Sequence, residues 1–156
     1  MPQRRLGEIL LARHLITARE LDECLIEQAR TKEFFGQILV RRGIIREKDL
    51  MGALSEQSGL PLVNLREVYV DWELALTYVT CILSDKKFLP IRQDDLSVTV
   101  AISNPLDVAS VSSIEAFVRP KKLKMVLANA SDLKMLIDEC EKRHKTKLRI
   151  LFDKQE

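Results

Sequence analysis

Two stretches of sequence decide how the first part of this chain folds: RRLGEILLARHLITARELDECLIEQ, from Arg4 to Gln28, and EFFGQILVRRGIIREKDLMGALSEQ, from Glu33 to Gln57. They align without a gap, because Gly7 and Gly36 stand 29 residues apart and every other position keeps that spacing. An internal repeat predicts two copies of one supersecondary unit that pack on each other. The equivalent apolar pairs are Ile9 and Ile38, Leu10 and Leu39, Leu15 and Ile44, Ile16 and Ile45, Leu21 and Leu50, and Leu25 and Leu54.

Each copy is predicted to form a short helix, a turn and a longer helix. Residues Thr17 to Glu20 form a capping box, in which a threonine and a glutamate satisfy the first free amides of a helix. In the second copy Gly43 predicts the end of the short helix, and Gly59 predicts the end of the longer one. Gly52 falls inside the longer helix, where we expect close packing of a neighbouring helix to explain it.

Short strands and helices are predicted after Gly59. Pro61 favours an extended connector, and Gln93 to Leu96 have the composition of a hairpin turn. The predicted elements are a helical region at 72–87, strands at 88–92 and 97–102, a helix at 108–118 that Pro120 stops, a strand at 122–128 and a last helix from 131. The residues predicted to face inward from the last two helices are Val108, Val111, Ile114, Phe117, Val118, Leu133, Leu136, Ile137 and Cys140.

The predicted fold class is therefore α+β. An all-helical N-terminal subdomain built from a tandem helical repeat is followed by a small three-stranded αβ subdomain. We place the first subdomain at 1–59, the second at 60–142 and a tail at 143–156. The tail loses its apolar periodicity, so we expect it to fray or to dock on something else.

Charge and glycine content exclude several classes of function. The 156 residues carry 25 Lys or Arg and 23 Asp or Glu, and a net charge of +2 argues against nucleic acid or an anionic membrane as an obligatory partner. All five glycines lie at or before Gly59. Phosphate loops, dinucleotide-binding turns and nucleophile elbows all need glycines at spacings that this sequence lacks.

No grouping of residues predicts catalysis or a metal site. His14 and His144 lie in different halves, and neither has partners at the spacing of zinc ligands. The acidic residues near Glu23 and Glu27 are explained by the solvated face of a helix. Three cysteines without a CxxC pair indicate reduced thiols in a cytoplasmic protein. We also predict no direct membrane insertion, since no segment has the length and apolarity of a membrane span.

The polar residues of the repeat admit two interpretations. An arginine before Leu-Gly and a glutamine at the end of the longer helix bracket a leucine surface that could hold a flat heterocycle. Glycine would then let backbone N–H groups approach a phosphate. Alternatively, the leucines and glycines serve only to pack two helix pairs together.

The same residues resemble a known family. The pattern Arg5-Leu6-Gly7-x2-Leu10-Leu11, continued to Gln28 and then repeated, is similar to the N-terminal domain of type II secretion and type IV pilus assembly ATPases, whose tandem motif is often called MshEN. The similarity continues through Gln57 to Leu65, Leu89-Pro90 and Val100 to Asp107. No phosphate loop follows, so the resemblance implies a free-standing domain or a fragment, and a binding domain rather than an enzyme.

The resemblance implies a cyclic di-GMP receptor that signals to a secretion, pilus or signalling protein. The implied half-sites are Arg5, Leu6, Gly7, Leu10, Leu25 and Gln28 in the first copy, and Gly36, Leu39, Leu54 and Gln57 in the second. It implies no cofactor besides this regulatory ligand. This chain has His14 where the family usually has glycine, and Phe34-Phe35 where it has Arg-Leu. The alternative is a protein-docking module of such a system with a degenerate nucleotide site.

Overall fold

A computed structural model describes residues 5–155. Within that range the chain forms eight helices and three strands, which confirms the α+β prediction. It divides between Leu60 and Pro61 into two compact units.

The first unit contains only helices in the described residues, and they alternate between short and long as predicted. Thr17 accepts a hydrogen bond from the Glu20 N–H at 3.1 Å, and the Glu20 carboxylate accepts one from the Thr17 N–H at 2.8 Å, so the predicted capping box is confirmed. The helices are α1 (Leu6–Ala12), α2 (Ala18–Thr31), α3 (Phe35–Arg41) and α4 (Glu47–Ser58).

The two copies of the repeat exchange their packing partners. Short helix α1 of the first copy packs against long helix α4 of the second, and α3 packs against α2. This arrangement is expected of two like units that bury the same apolar stripe against each other. Three equivalent pairs of the core are accordingly buried to the same degree: Ile9 and Ile38, Leu10 and Leu39, and Ile16 and Ile45.

Left-handed residues follow all four helices of the first unit: His14 after α1, Lys32 after α2, Gly43 after α3 and Gly59 after α4. Gly43 follows α3 with φ +70° and Gly59 follows α4 with φ +72°, so both predicted helix ends are confirmed. His14 occupies the equivalent of Gly43 in the first copy and adopts φ +58°. The turn therefore keeps the backbone conformation of its glycine counterpart while carrying a side chain.

The expected reason for Gly52 is wrong. A Cβ atom at this position would lie 3.2 Å from a terminal guanidinium nitrogen of Arg13, and no backbone of a neighbouring helix approaches it among the described residues. The glycine therefore leaves room for an arginine side chain and does not mark a close helix crossing.

The second unit is a three-stranded sheet with helices packed on it. The strands β1 (Phe88–Gln93), β2 (Ser97–Ile102) and β3 (Lys122–Leu127) lie in that order in the sheet; β1 and β2 form the predicted antiparallel hairpin, and β2 and β3 are parallel. Asp94 closes the hairpin by accepting bonds from the N–H groups of Leu96 and Ser97 at 2.8 and 2.7 Å. The helices are α5 (Trp72–Thr77), α6 (Val79–Asp85), α7 (Val108–Val118) and α8 (Ala130–Asp153).

The core of the second unit centres on β2, whose six residues are all buried. The predicted connector is extended and pairs with the last strand, because the Val63 N–H donates to the Leu127 carbonyl at 2.8 Å. Of the inward residues predicted on α7 and α8, those that the structure buries are Ile114, Val118, Leu133, Ile137 and Cys140. Val108 and Phe117 are exposed instead, so α7 buries a narrower face than predicted.

The expectation of a frayed tail is wrong. Helix α8 continues without interruption to Asp153. Its residues from Lys145 onward are exposed, but good helix formers maintain the helix there, and ion pairs between successive turns support the part just before it. Two such pairs are Glu139 with Arg143 at 3.0 Å and Glu141 with Lys145 at 3.2 Å.

Candidate ligand-binding surface of the repeat

Half of the residues predicted to contact a ligand are exposed or half-buried in the first unit. Arg5 is exposed immediately before α1, and Leu25 on α2 is 45% exposed. Gly7, Gln28 and Gln57 are half-buried. The accessible candidates therefore belong mainly to the first copy.

The other predicted contact residues lie in the interior of the unit. Leu10 and Leu39 are fully buried, and Leu54 is 3% exposed. Their side chains pack in the core of the unit and do not reach solvent. The complete buried set is Leu6, Leu10, Gly36, Leu39 and Leu54.

The backbone of Arg5 is hydrogen-bonded, whereas its side chain is exposed. The Glu8 carboxylate accepts a hydrogen bond from the Arg5 N–H at 3.1 Å, which fixes the residue at the start of α1. An exposed guanidinium offers several N–H donors in a planar arrangement suited to phosphate or to a guanine edge.

Gly7 and Gly36 are explained by packing within each copy. A Cβ on Gly7 would lie 2.7 Å from a methyl carbon of Leu21, and a Cβ on Gly36 would lie 2.5 Å from the equivalent methyl carbon of Leu50. Both distances are shorter than real contacts allow, so each glycine makes room for the leucine at one position of the repeat. Of the two interpretations that the sequence left open for these glycines, the geometry supports the packing one.

Ion pairs also link the two copies. Each joins the end of the short helix of one copy to the long helix of the other. Arg13 of the first copy pairs with Glu56 of the second. The residue equivalent to Arg13 is Arg42, which pairs with Glu27, the residue equivalent to Glu56, at 3.7 Å. The matching spacing of these arginines and glutamates in the sequence was the signal that could have revealed the exchange.

Arg41 extends the second of these pairs into a network. It hydrogen-bonds the carboxylates of Glu27 and Glu33, and Arg42 pairs with Glu23 at 3.5 Å. The hydrogen bond from Arg41 lowers the pKa of Glu27 and raises that of Arg41 itself. Glu23 is exposed, as predicted for the solvated face, whereas Glu27 is half-buried, and both also form ion pairs.

A shallow groove of about 440 Å³ lies between α2 and α3 beside this network. The carboxylates along the groove already pair with Arg41 and Arg42. A phosphate would therefore have to displace these carboxylates to bind the two arginines. The residues that line the groove are Glu23, Ile26, Glu27, Arg30, Arg41 and Arg42.

The second copy has Phe34 and Phe35 at the positions that Arg5 and Leu6 occupy in the first copy. Phe35 is only 9% exposed and lies 3.8 Å from the position of a Cβ on Gly7, so its ring belongs to the core. Phe34 precedes α3 and is half-buried. Of the two rings, only Phe34 has a side chain that solvent reaches appreciably.

Comparison with known proteins identifies this fold. The MshEN domain model matches residues 58–147, which is more than half of the chain and includes the whole sheet. The chain belongs to the MshEN domain family. Type IV pilus assembly ATPase PilB of Myxococcus xanthus is 26% identical over 134 residues, and PilB of Thermus thermophilus is 33% identical over 127. These alignments are longer than the second unit, so they extend into the repeat.

The match covers a small part of each PilB relative. It takes in 86% of this chain but 24% of the Myxococcus protein, and 81% of this chain but 14% of the Thermus protein. A solved structure of MshE with cdg (cyclic di-GMP) has a TM-score of 0.78 at 23% identity, over 87% of this chain and 98% of that one. The N-terminal domain of XpsE has a TM-score of 0.67 at 20% identity, over 88% and 97% of the respective chains.

The predicted resemblance to a domain of type IV pilus assembly ATPases is confirmed by the family match and by the two PilB relatives, of which this chain matches only a small part. Within residues 5–155, no helix is both long and apolar enough to cross a membrane.

Proposed function

We propose that this chain is a cyclic di-GMP-binding regulatory domain that signals to a protein partner. The observation that carries the proposal is the accessibility of three candidate residues of the first copy: Arg5 and Leu25 are exposed, and Gln28 is half-buried. The structure of MshE with cdg, which shares the fold, supports the choice of ligand.

The chemistry of these side chains fits one half of a cyclic dinucleotide. The Arg5 guanidinium can donate paired hydrogen bonds to a phosphate or to the Hoogsteen edge of guanine. Leu25, 45% exposed, offers an apolar surface to the face of a base. Gln28 is half-buried near the end of α2 and supplies an amide that both donates and accepts.

The second copy is proposed to contribute a weaker half-site. Phe34 stands where Arg5 stands in the first copy, so the cation is replaced by a ring that cannot pair with a phosphate. Leu54 is buried where Leu25 is exposed. We therefore expect a dissociation constant of roughly micromolar or weaker.

Isothermal titration of the full chain with cyclic di-GMP tests the proposal. Arg5→Ala is expected to weaken binding by about tenfold or more, because a charge-assisted hydrogen bond is lost. Leu25→Ala and Gln28→Ala should weaken it to a lesser degree. Arg19→Ala is the matched control: this arginine is exposed on α2 and pairs with Glu23 at 3.0 Å.

Two results would contradict the proposal. One is the absence of both binding heat and a melting shift at ligand concentrations above millimolar, which would favour the docking-module alternative. The other is an equal loss of binding in Arg19→Ala and Arg5→Ala, because general surface charge would then explain the interaction.

A further inference from the structure

The second half of α8 extends beyond the core of its unit. Helix α8 has 24 residues, about 36 Å of length at 1.5 Å per residue. Its buried residues end at Cys140, and every residue from Lys145 to Gln155 is exposed. The residues from Lys142 to Lys154 are called the basic segment below.

Charge is concentrated in the basic segment, although the whole chain is nearly neutral. Its only acidic residue is Asp153, and its six cations are Lys142, Arg143, Lys145, Lys147, Arg149 and Lys154. Among the described residues, Lys147 and Arg149 form no ion pair. The overall charge of +2 therefore hides a strongly positive helix end.

The basic segment is also amphipathic. Leu148, Leu151 and Phe152 follow each other at helical spacing on one face, and they are 40, 52 and 67% exposed. At 100° per residue, Lys147 borders this face on the side of Leu151 and Lys145 borders it on the side of Phe152. Cations thus line both long edges of an exposed apolar face.

The charge pattern decides what can cover this face. A second copy of the segment would bring cations against cations, which opposes self-association. A purely acidic soluble polypeptide, such as polyglutamate, would pair with the cations but leave the three apolar side chains in water. A bilayer with anionic headgroups accommodates both the cations and the apolar side chains, because its phosphates lie at the level of the cations and its acyl chains lie beneath them.

We propose that the basic segment is a peripheral membrane contact that lies flat on an anionic lipid surface. Leu148, Leu151 and Phe152 enter the boundary between headgroups and acyl chains, and Lys145, Lys147 and Arg149 contact the phosphates. The segment does not cross the bilayer. This proposal is independent of the nucleotide proposal, since it uses none of the same residues.

Co-sedimentation of the full chain with vesicles tests the contact. Binding is expected to phosphatidylcholine vesicles containing about 30% phosphatidylglycerol and not to pure phosphatidylcholine. The double variant Lys147→Gln/Arg149→Gln should reduce the partition coefficient about 30-fold, since each cation near such a surface contributes on the order of 1 kcal/mol. Its matched control is Lys48→Gln/Lys134→Gln, which removes the same charge from exposed positions elsewhere.

A second variant separates lipid from an acidic polypeptide. Leu151→Ser/Phe152→Ser keeps every cation and should reduce vesicle binding about tenfold or more, because apolar burial is lost. Its binding to soluble polyglutamate should not change. Equal binding to both vesicle types, an equal loss in the Lys48/Lys134 control, or binding to polyglutamate without binding to anionic vesicles would overturn the proposal. Far-ultraviolet circular dichroism confirms that each variant is folded.

Discussion

The two copies of the repeat have the same spacing and the same helices, yet they present different surfaces. On the short helices, equivalent residues are equally buried: Leu10 and Leu39 are both 0% exposed. On the long helices the symmetry ends, because Leu25 is 45% exposed and its equivalent Leu54 is 3% exposed. A repeat therefore determines which residues form the shared core but not which copy keeps an open face.

This difference has a functional consequence. The first copy retains Arg5 and an exposed leucine, whereas the second has Phe34 and a buried leucine at the same positions. The second copy is specialised for packing, and the first provides the surface on which we propose that a nucleotide binds. Equivalent positions can therefore be compared directly, because each variant in one copy is the control for the same variant in the other.

The largest contrast is expected between Leu54→Ala and Leu25→Ala. Truncating a fully buried leucine removes transfer free energy and leaves a cavity, so Leu54→Ala should lower the free energy of unfolding by about 2–5 kcal/mol. Leu25→Ala should lower it by less than about 1 kcal/mol, because the side chain is half in water already. Urea unfolding followed by circular dichroism measures both, and equal losses would show that the two faces are not distinct.

The second contrast is between Gly36→Ala and Gly7→Ala. A methyl group on Gly36 would meet three carbons of the buried Leu50 within 3.4 Å, whereas one on Gly7 would meet a single close carbon of the half-buried Leu21. Leu21 has more freedom to move aside. We expect Gly36→Ala to cost about 1–3 kcal/mol of unfolding free energy and Gly7→Ala clearly less. A larger loss for Gly7→Ala in the same urea titration would contradict this packing argument.

The third contrast concerns the left-handed turns. His14→Gly should raise the free energy of unfolding by about 0.5–1 kcal/mol, because a side chain at φ +58° is strained and glycine is not. Gly43→Ala should lower it by about 1 kcal/mol, and conformation alone would be responsible, since a Cβ there meets nothing within 4 Å. Thermal unfolding of both variants tests the pair, and a destabilised His14→Gly would show that the imidazole makes a compensating contact.

Local signals explain which parts of the fold the sequence predicts well. The Thr17 capping box, the glycines after α3 and α4, and the Asp94 hairpin turn all act through neighbouring backbone groups, so a few adjacent residues suffice to recognise them. The end of α8 was missed because the prediction relied on apolar periodicity. In that part of the helix the residues are exposed, and helix propensity replaces burial.

The candidate site depends on contacts that are distant in sequence, and it was predicted less completely. The family resemblance named Arg5 and Leu25, which the structure leaves exposed, together with Leu10 and Leu54, which it buries. Which leucines face solvent depends on the packing of other helices and not on their own neighbours. The steric role of Gly7 likewise depends on Leu21, fourteen residues away along the chain.

The smallest contrast is between Glu27→Gln and Glu56→Gln. Glu27 is contacted by both Arg41 and Arg42, whereas Glu56 pairs with Arg13, so Glu27→Gln should lower the melting temperature slightly more. The hydrogen bond from Arg41 holds the pKa of Glu27 below its ordinary value of about 4.5. The stabilisation is therefore fully present above that value and is lost as the pH falls through the lowered pKa. The difference between wild type and Glu27→Gln should accordingly be largest near neutral pH, vanish in acid and shrink with added salt. A difference that persists unchanged in acid would mean that Glu27 stabilises the unit through packing and not through its charge.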